Sequence, residues 1–356
     1  MPPKSIQRTP EQKAPAAKAT IADVAREAGV SKATVSRFLN HGDKLLSADI
    51  ASRVESAIAS LRYTPSPMAQ SLKRGKSGLI GLVVADVANP YSVAVLRGVE
   101  TACREAGYLV ILFNISNDRE REQEAIAALS SYQVEGFILN TSGYMPSKSR
   151  KPDHYGKPAV LVDRRHADMQ EDFVSLDNAS AMAMAVDHLV EAGYRELLFV
   201  TQPLSNVSSR IERETAFRNC IAGRTSKVNG ASHENAEDDA EALEQALRRL
   251  VKPGPGTRRS RRPAIITGNA VMTLRVAAVA ARLGLQLGKD LGLIGFDDAE
   301  WAPLIGPGIT TIAQPTDELG RMAARCLIER IEGFNLPPRQ ILLSGRLTAR
   351  GSTMQE

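Results

Sequence analysis

Two groups of residues in this sequence have the types and spacing to do chemistry. The first is Lys32, Ala33, Thr34, Ser36 and Arg37, inside the stretch TIADVAREAGVSKATVSRFLN from Thr20 to Asn40. At helical spacing these residues share a face opposite Val35, Phe38 and Leu39. A short helix offering Lys, Thr, Ser and Arg suits a DNA major groove. Arg and Lys pair with guanine edges there, and hydroxyls take phosphates. A small helical hairpin with a solvated face would fit the same residues. The second group is polar and stands where apolar runs end: Asp86, Asn89 and Tyr91; Asp163 and Arg164; Asn269; and Asp297 after LIGF. In parallel sheets, small molecules gather beyond the carboxyl ends of the strands. Asp86, Asp163 and Asp177 would equally serve as helix caps.

The first group needs a scaffold of short helices. Ile21, Val24, Ala25 and Ala28 recur at helical spacing and give one apolar face. Thr20 is the expected N-cap, with Asp23 completing a capping box. Gly29 stands where a left-handed exit is needed, and Val30 follows as an apolar plug. Ser31 caps the second helix, Lys32 to Leu39. A turn at residues 41–44 leads to a third helix, Ala48 to Leu61, whose stripe is Ile50, Val54, Ala57, Ile58 and Leu61. Tyr63-Thr64-Pro65-Ser66-Pro67 ends it, because a proline pair resists continuing a helix.

From Gly78 the pattern changes. GLIGLVVA is a near-continuous apolar run, as in a strand buried on both faces. Strands are predicted at 78–85, 109–113, 136–139, 159–162, 173–176, 196–200, 264–267, 291–295, 310–312, 340–343 and 346–349. Helices are predicted at 92–106, 119–131, 180–192, 211–222, 240–250, 271–283 and 317–331. Alternation of this kind gives a parallel sheet covered on both faces. The length exceeds one core, so two doubly wound halves are expected. Residues 223–239 and 252–262 read as surface loops, the second (KPGPGTRRSRR) basic and exposed.

Composition narrows the function classes. The chain has 356 residues, 43% apolar and 24% charged, as in ordinary globular proteins, and no run long enough to span a membrane. Cys103, Cys220 and Cys326 are far apart, odd in number and each in a predicted helix, so buried free thiols in a reducing cytoplasm are expected, without disulfides or a metal. Residues 1–78 hold 13 Lys+Arg against 6 Asp+Glu, a balance of +7; the whole chain is +5, which leaves −2 for the rest. Positive charge thus collects beside the two-helix motif, where a phosphate backbone would be met. Residues 1–18 carry Lys, Pro and Ala with no apolar segment, and read as a disordered basic arm and not as a secretory signal. No nucleophile elbow, Walker loop or metal-ligand spacing occurs, so an enzyme on the α/β core is not expected.

The stretch T-I-A-D-V-A, A-G-V-S, T-V-S-R-F-L-N resembles the helix-turn-helix of the lactose-repressor (LacI) family of bacterial regulators, and the likeness extends from Thr20 to about Ser352. The resemblance implies DNA contacts from Thr20, Ser31, Lys32, Ala33, Thr34, Ser36, Arg37 and Asn40, with Lys32, Ala33 and Arg37 as the main base readers. It implies a hinge helix after Pro67, with Leu72 wedged in the minor groove and Ala69 beside it. An apolar wedge of this kind kinks the duplex. Ser66 and Pro67 depart from the family's usual hinge. In the core it implies an effector site. D-V-A-N-P-Y supplies Asp86 and Tyr91. Arg213 (RETAF) is the effector arginine, with Arg210 a competitor. G-F-D-D supplies Asp297, and Gln314 stands at the rim. Ala270 follows Asn269 where the family usually has Asp; losing that carboxylate favours an anionic ligand. GFDDAEWAPLIGPGITTIAQP, with Trp301 and Pro307-Gly308, is similar to regulators of ketogluconate and sugar-acid catabolism. A sugar-acid carboxylate needs a cation, which Arg213 or Arg164 could supply.

The expected fold is an all-α helix-turn-helix DNA-binding head plus an α/β core of two doubly wound parallel-sheet subdomains, similar to periplasmic binding proteins. The expected domains are residues 1–18, a disordered basic arm; 19–64, the DNA-binding domain; 65–77, hinge helix and linker; and 78–352, the effector-binding and dimerisation core. The expected function is a cytoplasmic, sequence-specific regulator of a carbohydrate or sugar-acid operon, a repressor without cofactor or metal. Its expected partners are a near-palindromic double-stranded operator, a sugar-acid effector and a second copy of the chain, with a tetramer open and no membrane. A neutral sugar or nucleoside effector, or a sugar-binding protein without a DNA role, are the competing readings.

Overall fold

A computed structural model describes residues 19–64, 76–116, 118, 120–141, 156–165, 170–205, 207–224, 228–236, 239–252 and 262–354. The chain divides into two compact units, Met1–Ser77 and Gly78–Glu356. The expected basic arm, Ala69 and Leu72 of the hinge, and residues 253–261 of the basic loop lie outside the described residues.

The first unit is helical: α1 (Ile21–Glu27), α2 (Lys32–His41), a 3-10 turn (Gly42–Leu45) and α3 (Ala48–Ser60). Thr20 and Asp23 form the reciprocal capping box, with Asp23 N donating to Thr20 Oγ1 at 3.4 Å and Thr20 N to Asp23 Oδ2 at 2.9 Å. Gly29 takes φ +63°, which lets the chain leave α1 and start α2 after only four residues, 28–31. Ser31 Oγ then accepts from Thr34 N at 3.1 Å. Val24, Ala25, Ala28, Val35, Val54 and Ala57 form the small core, with Phe38, Leu39 and Leu61 packed on it.

The second unit holds two sheets. In chain order its elements are β1 (Leu79–Val84), α4 (Pro90–Glu105), β2 (Leu109–Asn114), α5 (Glu120–Ser131), β3 (Gly136–Asn140), β4 (Ala159–Val162), β5 (Asp172–Leu176) and α6 (Asn178–Glu191). There follow β6 (Tyr194–Thr201), α7 (Ser208–Ala222), β7 (Asn229–Glu234), α8 (Ala240–Val251), β8 (Arg262–Thr267), α9 (Ala270–Arg282) and β9 (Gly292–Phe296). The last are β10 (Thr310–Ala313), α10 (Thr316–Ile331), β11 (Gln340–Leu343) and β12 (Arg346–Thr348). One sheet runs β11-β5-β4-β3-β1-β2 and is parallel throughout; the other runs β12-β10-β9-β8-β6-β7, with only β12 antiparallel to its neighbour. The chain passes between the sheets after β5, after β10 and after β11, so each sheet is built from separated pieces of sequence.

Residues 223–239, expected as a loop, contain edge strand β7. Its sequence NGASHE has no apolar run, and an edge strand with one open side needs none. Helices α4 and α10 meet backbone to backbone: a Cβ on Gly98 would stand 2.1 Å from Asp317 O, and one on Gly320 2.2 Å from Val95 O. This contact fixes the returning helix α10 on the first sheet. Asp172, 2% exposed at the start of β5, ties that sheet to α10 by accepting from Arg330 Nε (3.0 Å) and from Arg339 N (2.7 Å) and NH2 (2.8 Å).

Candidate functional site

The helical unit presents a polar face. Lys32, Ala33, Arg37 and Asn40 are exposed on α2, with Thr34 and Ser36 half-buried beside them. Val35 on the opposite side is fully buried, so the side that packs is fixed and the polar side cannot rotate inward. Thr20 and Ser31 use their hydroxyls in caps: Thr20 Oγ1 lies 2.7 Å from Asp23 Oδ2, and Ser31 Oγ 2.9 Å from Thr34 Oγ1. Asn40 Nδ2 donates to Ser36 O at 2.8 Å, which holds its amide against the helix. Asp23 sits below its ordinary pKa, chiefly through the Thr20 hydroxyl and then the Thr20 backbone N–H.

In the α/β unit a buried polar cluster stands at the carboxyl ends of strands from both sheets. Asp163 follows β4 at φ +65°, and Asp297 follows β9 at φ +74°; both are left-handed non-glycine residues. Such backbone is sparsely populated and collects where surroundings over-determine it, often at ligand sites. Asp163 Oδ2 accepts from Ser209 Oγ at 3.2 Å. Arg164 Nε lies 3.7 Å from that oxygen, and Arg213 NH2 4.0 Å from Asp163 Oδ1. Asp297 accepts from Gln314 Nε2 at 2.6 Å and from Ala270 N at 3.1 Å.

Arg213 is 5% exposed and held on three sides. Nε donates to Asn178 Oδ1 at 2.8 Å, NH1 donates to Gly268 O at 2.6 Å, and the guanidinium lies 4.4 Å over the Phe296 ring. NH2 makes no hydrogen bond among the described residues, and the same is true of Tyr91 Oη and Gln314 Oε1, although all three atoms are buried. A buried polar atom left without a partner is costly unless a ligand or water meets it. Together they offer a donor, a hydroxyl and an acceptor.

The electrostatics are mixed. Burial pushes the Tyr91 hydroxyl well above its ordinary pKa, and the charges of Asp163 and Asp297 add to this, so Tyr91 stays neutral. Burial raises Asp297, partly offset by Arg213, Ala270 N and Gln314. Burial lowers Arg164, with Asp163 opposing. Two cations and two carboxylates around a neutral phenol make a site that binds and orients.

The expected residues do not all converge. Tyr91, Asp163, Arg164, Arg213, Asp297 and Gln314 come together. Asn269 caps α9 through Met272 N at 2.9 Å and donates to Gln202 Oε1 at 2.8 Å. Arg210 donates to that glutamine's Oε1 at 2.8 Å and to Pro203 O at 2.7 Å. Asp86 Oδ1 accepts from Ala88 N at 2.9 Å in its own loop. Asp177 caps α6 by accepting from Ser180 N at 3.0 Å. Trp301 is half-buried and packs with Ile305 against the core cluster of Met272, Val276 and Leu293. Sequence reasoning missed Asn178 and Ser209, which set Arg213 and Asp163. The only signal for Asn178 was its place in a helix's first turn. A separate cavity of about 910 Å³ lies at the other end of the second sheet, lined by Arg262, Ala280, Leu287, Lys289 and Pro307, and includes none of the expected effector residues.

Residues 20–66 match the model of the bacterial regulatory proteins, lacI family. Residues 186–353 match the periplasmic binding protein-like domain. The HTH-type transcriptional regulator PtxS of Pseudomonas aeruginosa is 46% identical over 94% of this chain and 95% of its own. The chain belongs to the lacI family. The HTH-type transcriptional regulator KdgR of Bacillus subtilis is 39% identical over 94% of this chain and 97% of its own. Among solved structures, the lac repressor dimer bound to operator and the anti-inducer ONPF shares the fold, with a TM-score of 0.79 at 24% identity over 94% of this chain and 99% of that one. The family membership makes the chain a DNA-binding transcriptional regulator, with a periplasmic-binding-protein-like domain over residues 186–353. No helix among the described residues is long and apolar enough to cross a membrane.

Proposed function

We propose that this regulator is a homodimeric repressor of a sugar-acid catabolic operon, and that 2-ketogluconate or a closely related sugar acid controls its grip on DNA. The observation that carries the reading is the buried pair of guanidinium groups, Arg164 and Arg213, beside Asp163 and Asp297. A sugar acid has both faces this cluster can serve. Its carboxylate takes N–H donors, and its hydroxyls donate to Asp163, Asp297 and Gln314 Oε1. Ala270, in place of a third carboxylate, leaves the site less hostile to an anion.

Lys32, Ala33 and Arg37 read bases in the major groove, while Ser31, Thr34, Ser36, Asn40 and Thr20 set backbone contacts or the helix caps. Leu72 and Ala69 serve a hinge in the minor groove. Two heads of a dimer would sit about 34–36 Å apart on successive major grooves, so the operator is near-palindromic. Effector binding shifts the dimer so that the hinges no longer fit together, through a coupling of about 1–3 kcal/mol per site. The protein acts in the cytoplasm and has no catalytic activity.

Calorimetric titration of the full chain with 2-ketogluconate, 2-keto-3-deoxygluconate, gluconate and neutral sugars tests the ligand class. Heat from the sugar acids is the expected result. Heat from neutral sugars or purines alone would remove the sugar-acid reading. Footprinting of the bound operator with the dimer's stoichiometry checks the assembly.

A further inference from the structure

Arg350 lies two residues past β12 and outside the polar cluster, yet its guanidinium is closely held. NH1 lies 2.8 Å from Asp298 Oδ1, donates to Ile309 O at 2.8 Å, and lies 3.1 Å from Thr311 Oγ1. Thr311 Oγ1 also donates to Asp298 Oδ1, at 2.8 Å. The main chain of Arg350 is fixed as well: its N donates to Thr310 Oγ1 at 2.9 Å, and its O accepts from that hydroxyl at 2.9 Å. Ser352, two residues on, donates through Oγ to Leu293 O of β9 at 2.6 Å, the strand that Asp297 directly follows. The last strand and the segment after it therefore clamp both neighbours of the turn that carries Asp297.

That turn is a place where a clamp has consequences. Asp297 is at φ +74°, a conformation L side chains rarely adopt, and Asp298 follows it directly. The Asp298 side chain is only 23% exposed. Burial pushes its carboxyl up, but the Arg350 and Thr311 bonds and the Arg350 charge more than offset this, so it stays ionised. Without Arg350 the Asp298 carboxylate would keep only the Thr311 bond and the weaker Arg346 charge, and the turn would lose its tie to the segment after β12. Gln314 and Ala270 N grip only the Asp297 carboxylate; they do not fix the backbone on its far side.

We propose that Arg350 is a positioning residue for effector binding: by pinning Asp298 and Thr311 it holds the left-handed turn that aims the Asp297 carboxylate into the effector cluster. It touches no ligand. The inference rests on Asp297 being an effector contact, as set out above.

The test uses the full chain with Arg350→Ala, Arg350→Lys, Asp298→Asn and Asp297→Asn. The first readout needs no ligand: a crystal structure of Arg350→Ala should show the Asp297 carboxylate displaced from Ala270 N. The second is calorimetry with 2-ketogluconate. Arg350→Ala should bind about ten- to a hundredfold more weakly, as expected when a charged hydrogen bond that orients a ligand group is removed. Arg350→Lys should recover part of this, since one ammonium reaches Asp298 but not all three acceptors. Operator affinity without ligand should stay at the parent value, which a merely destabilised core would not maintain. Should Arg350→Ala fail to fold, Asp298→Asn, which keeps the Thr311 bond and loses the charge, carries the same expectation. An unmoved Asp297 with parental affinity in the variants would overturn the proposal. Parental affinity in Asp297→Asn would instead overturn the effector reading of Asp297, and the crystal structure alone would then decide the role of Arg350.

Discussion

Replacing Arg213 by Met should make the stability of the core depend on pH more strongly than the parent's does. Arg213 supplies two hydrogen bonds from a charged donor, to Asn178 Oδ1 and Gly268 O, and stacks on Phe296. Bonds of this kind contribute about 1.5–3 kcal/mol each, and a desolvated cation–π contact up to about 2 kcal/mol. These do not add independently; breaking a buried charge arrangement by removing one partner costs about 3–5 kcal/mol in total. Met fills much of the stem's volume, so little cavity loss is expected on top. The remaining cost is electrostatic. Asp297 is 8% exposed and already raised by burial, with the Arg213 charge first among the factors holding it down. Without that charge its folded pKa climbs further above its unfolded value. A carboxyl with a raised folded pKa loses stability as pH rises from the unfolded toward the folded pKa, and regains it on acidification. The deficit of Arg213→Met should therefore be larger near pH 7 than near pH 3.8, the ordinary value from which burial has raised the group. Trp301, the one tryptophan in the sequence, packs against the core of the second sheet, so its fluorescence in urea unfolding follows this unit. A deficit below about 1 kcal/mol, or one equal at both pH values, would show that Arg213 does not hold Asp297 ionised in the folded core.

Other perturbations have equally definite outcomes. Gly98→Ala would place a methyl 2.1 Å from Asp317 O, so α4 and α10 must separate; a loss of about 1–3 kcal/mol or more is expected in urea unfolding of the core, with the head's amide resonances unchanged. In Asp172, burial pushes the carboxyl up but the Arg330 and Arg339 bonds prevail, and its pKa falls well below the ordinary range. Its contribution is therefore complete at neutral pH and fades only as pH falls below 3.8 toward the depressed folded value; Asp172→Asn should be much less stable than the parent at pH 7, with the gap narrowing in strong acid. Thr20→Ala removes the capping box of α1 and should cost the head about 1 kcal/mol, read from its melting. Arg37→Ala should weaken operator binding by about 1–3 kcal/mol and relax preference at its base pair, as measured by gel shift on variant operators.

The sequence announced the helical head in local terms. Thr20, Asp23, Gly29 and Ser31 each act within three or four residues of themselves, so cap and turn chemistry could be read directly from the chain. The alternation of apolar runs and helical stripes likewise marked the parallel sheets. Edge strand β7 was hidden because NGASHE is polar and half-open, and periodicity carries no signal there. In the site, Asp163, Arg213 and Asp297 stood out as charges beside buried elements. Their support did not. Asn178 reaches Arg213 across 35 residues, Ser209 reaches Asp163 across 46, and Arg350 meets Asp298 only because β12 returns to the second sheet. Long-range partners of this sort follow from where the chain crosses between sheets, which no local pattern encodes. Asp177, read as a helix cap, accepts from Ser180 N as such a cap does, while Asp86, read as a site carboxylate, accepts from Ala88 N in its own loop.

The most direct test of the account is operator affinity of the full chain, measured by fluorescence anisotropy with and without 2-ketogluconate, in the parent and in Arg213→Lys. The sugar acid should release the parent from its operator and act only at far higher concentration on the variant, while both bind DNA alike without it. Operator binding by the parent that no sugar acid alters, yet a neutral sugar does, would contradict it.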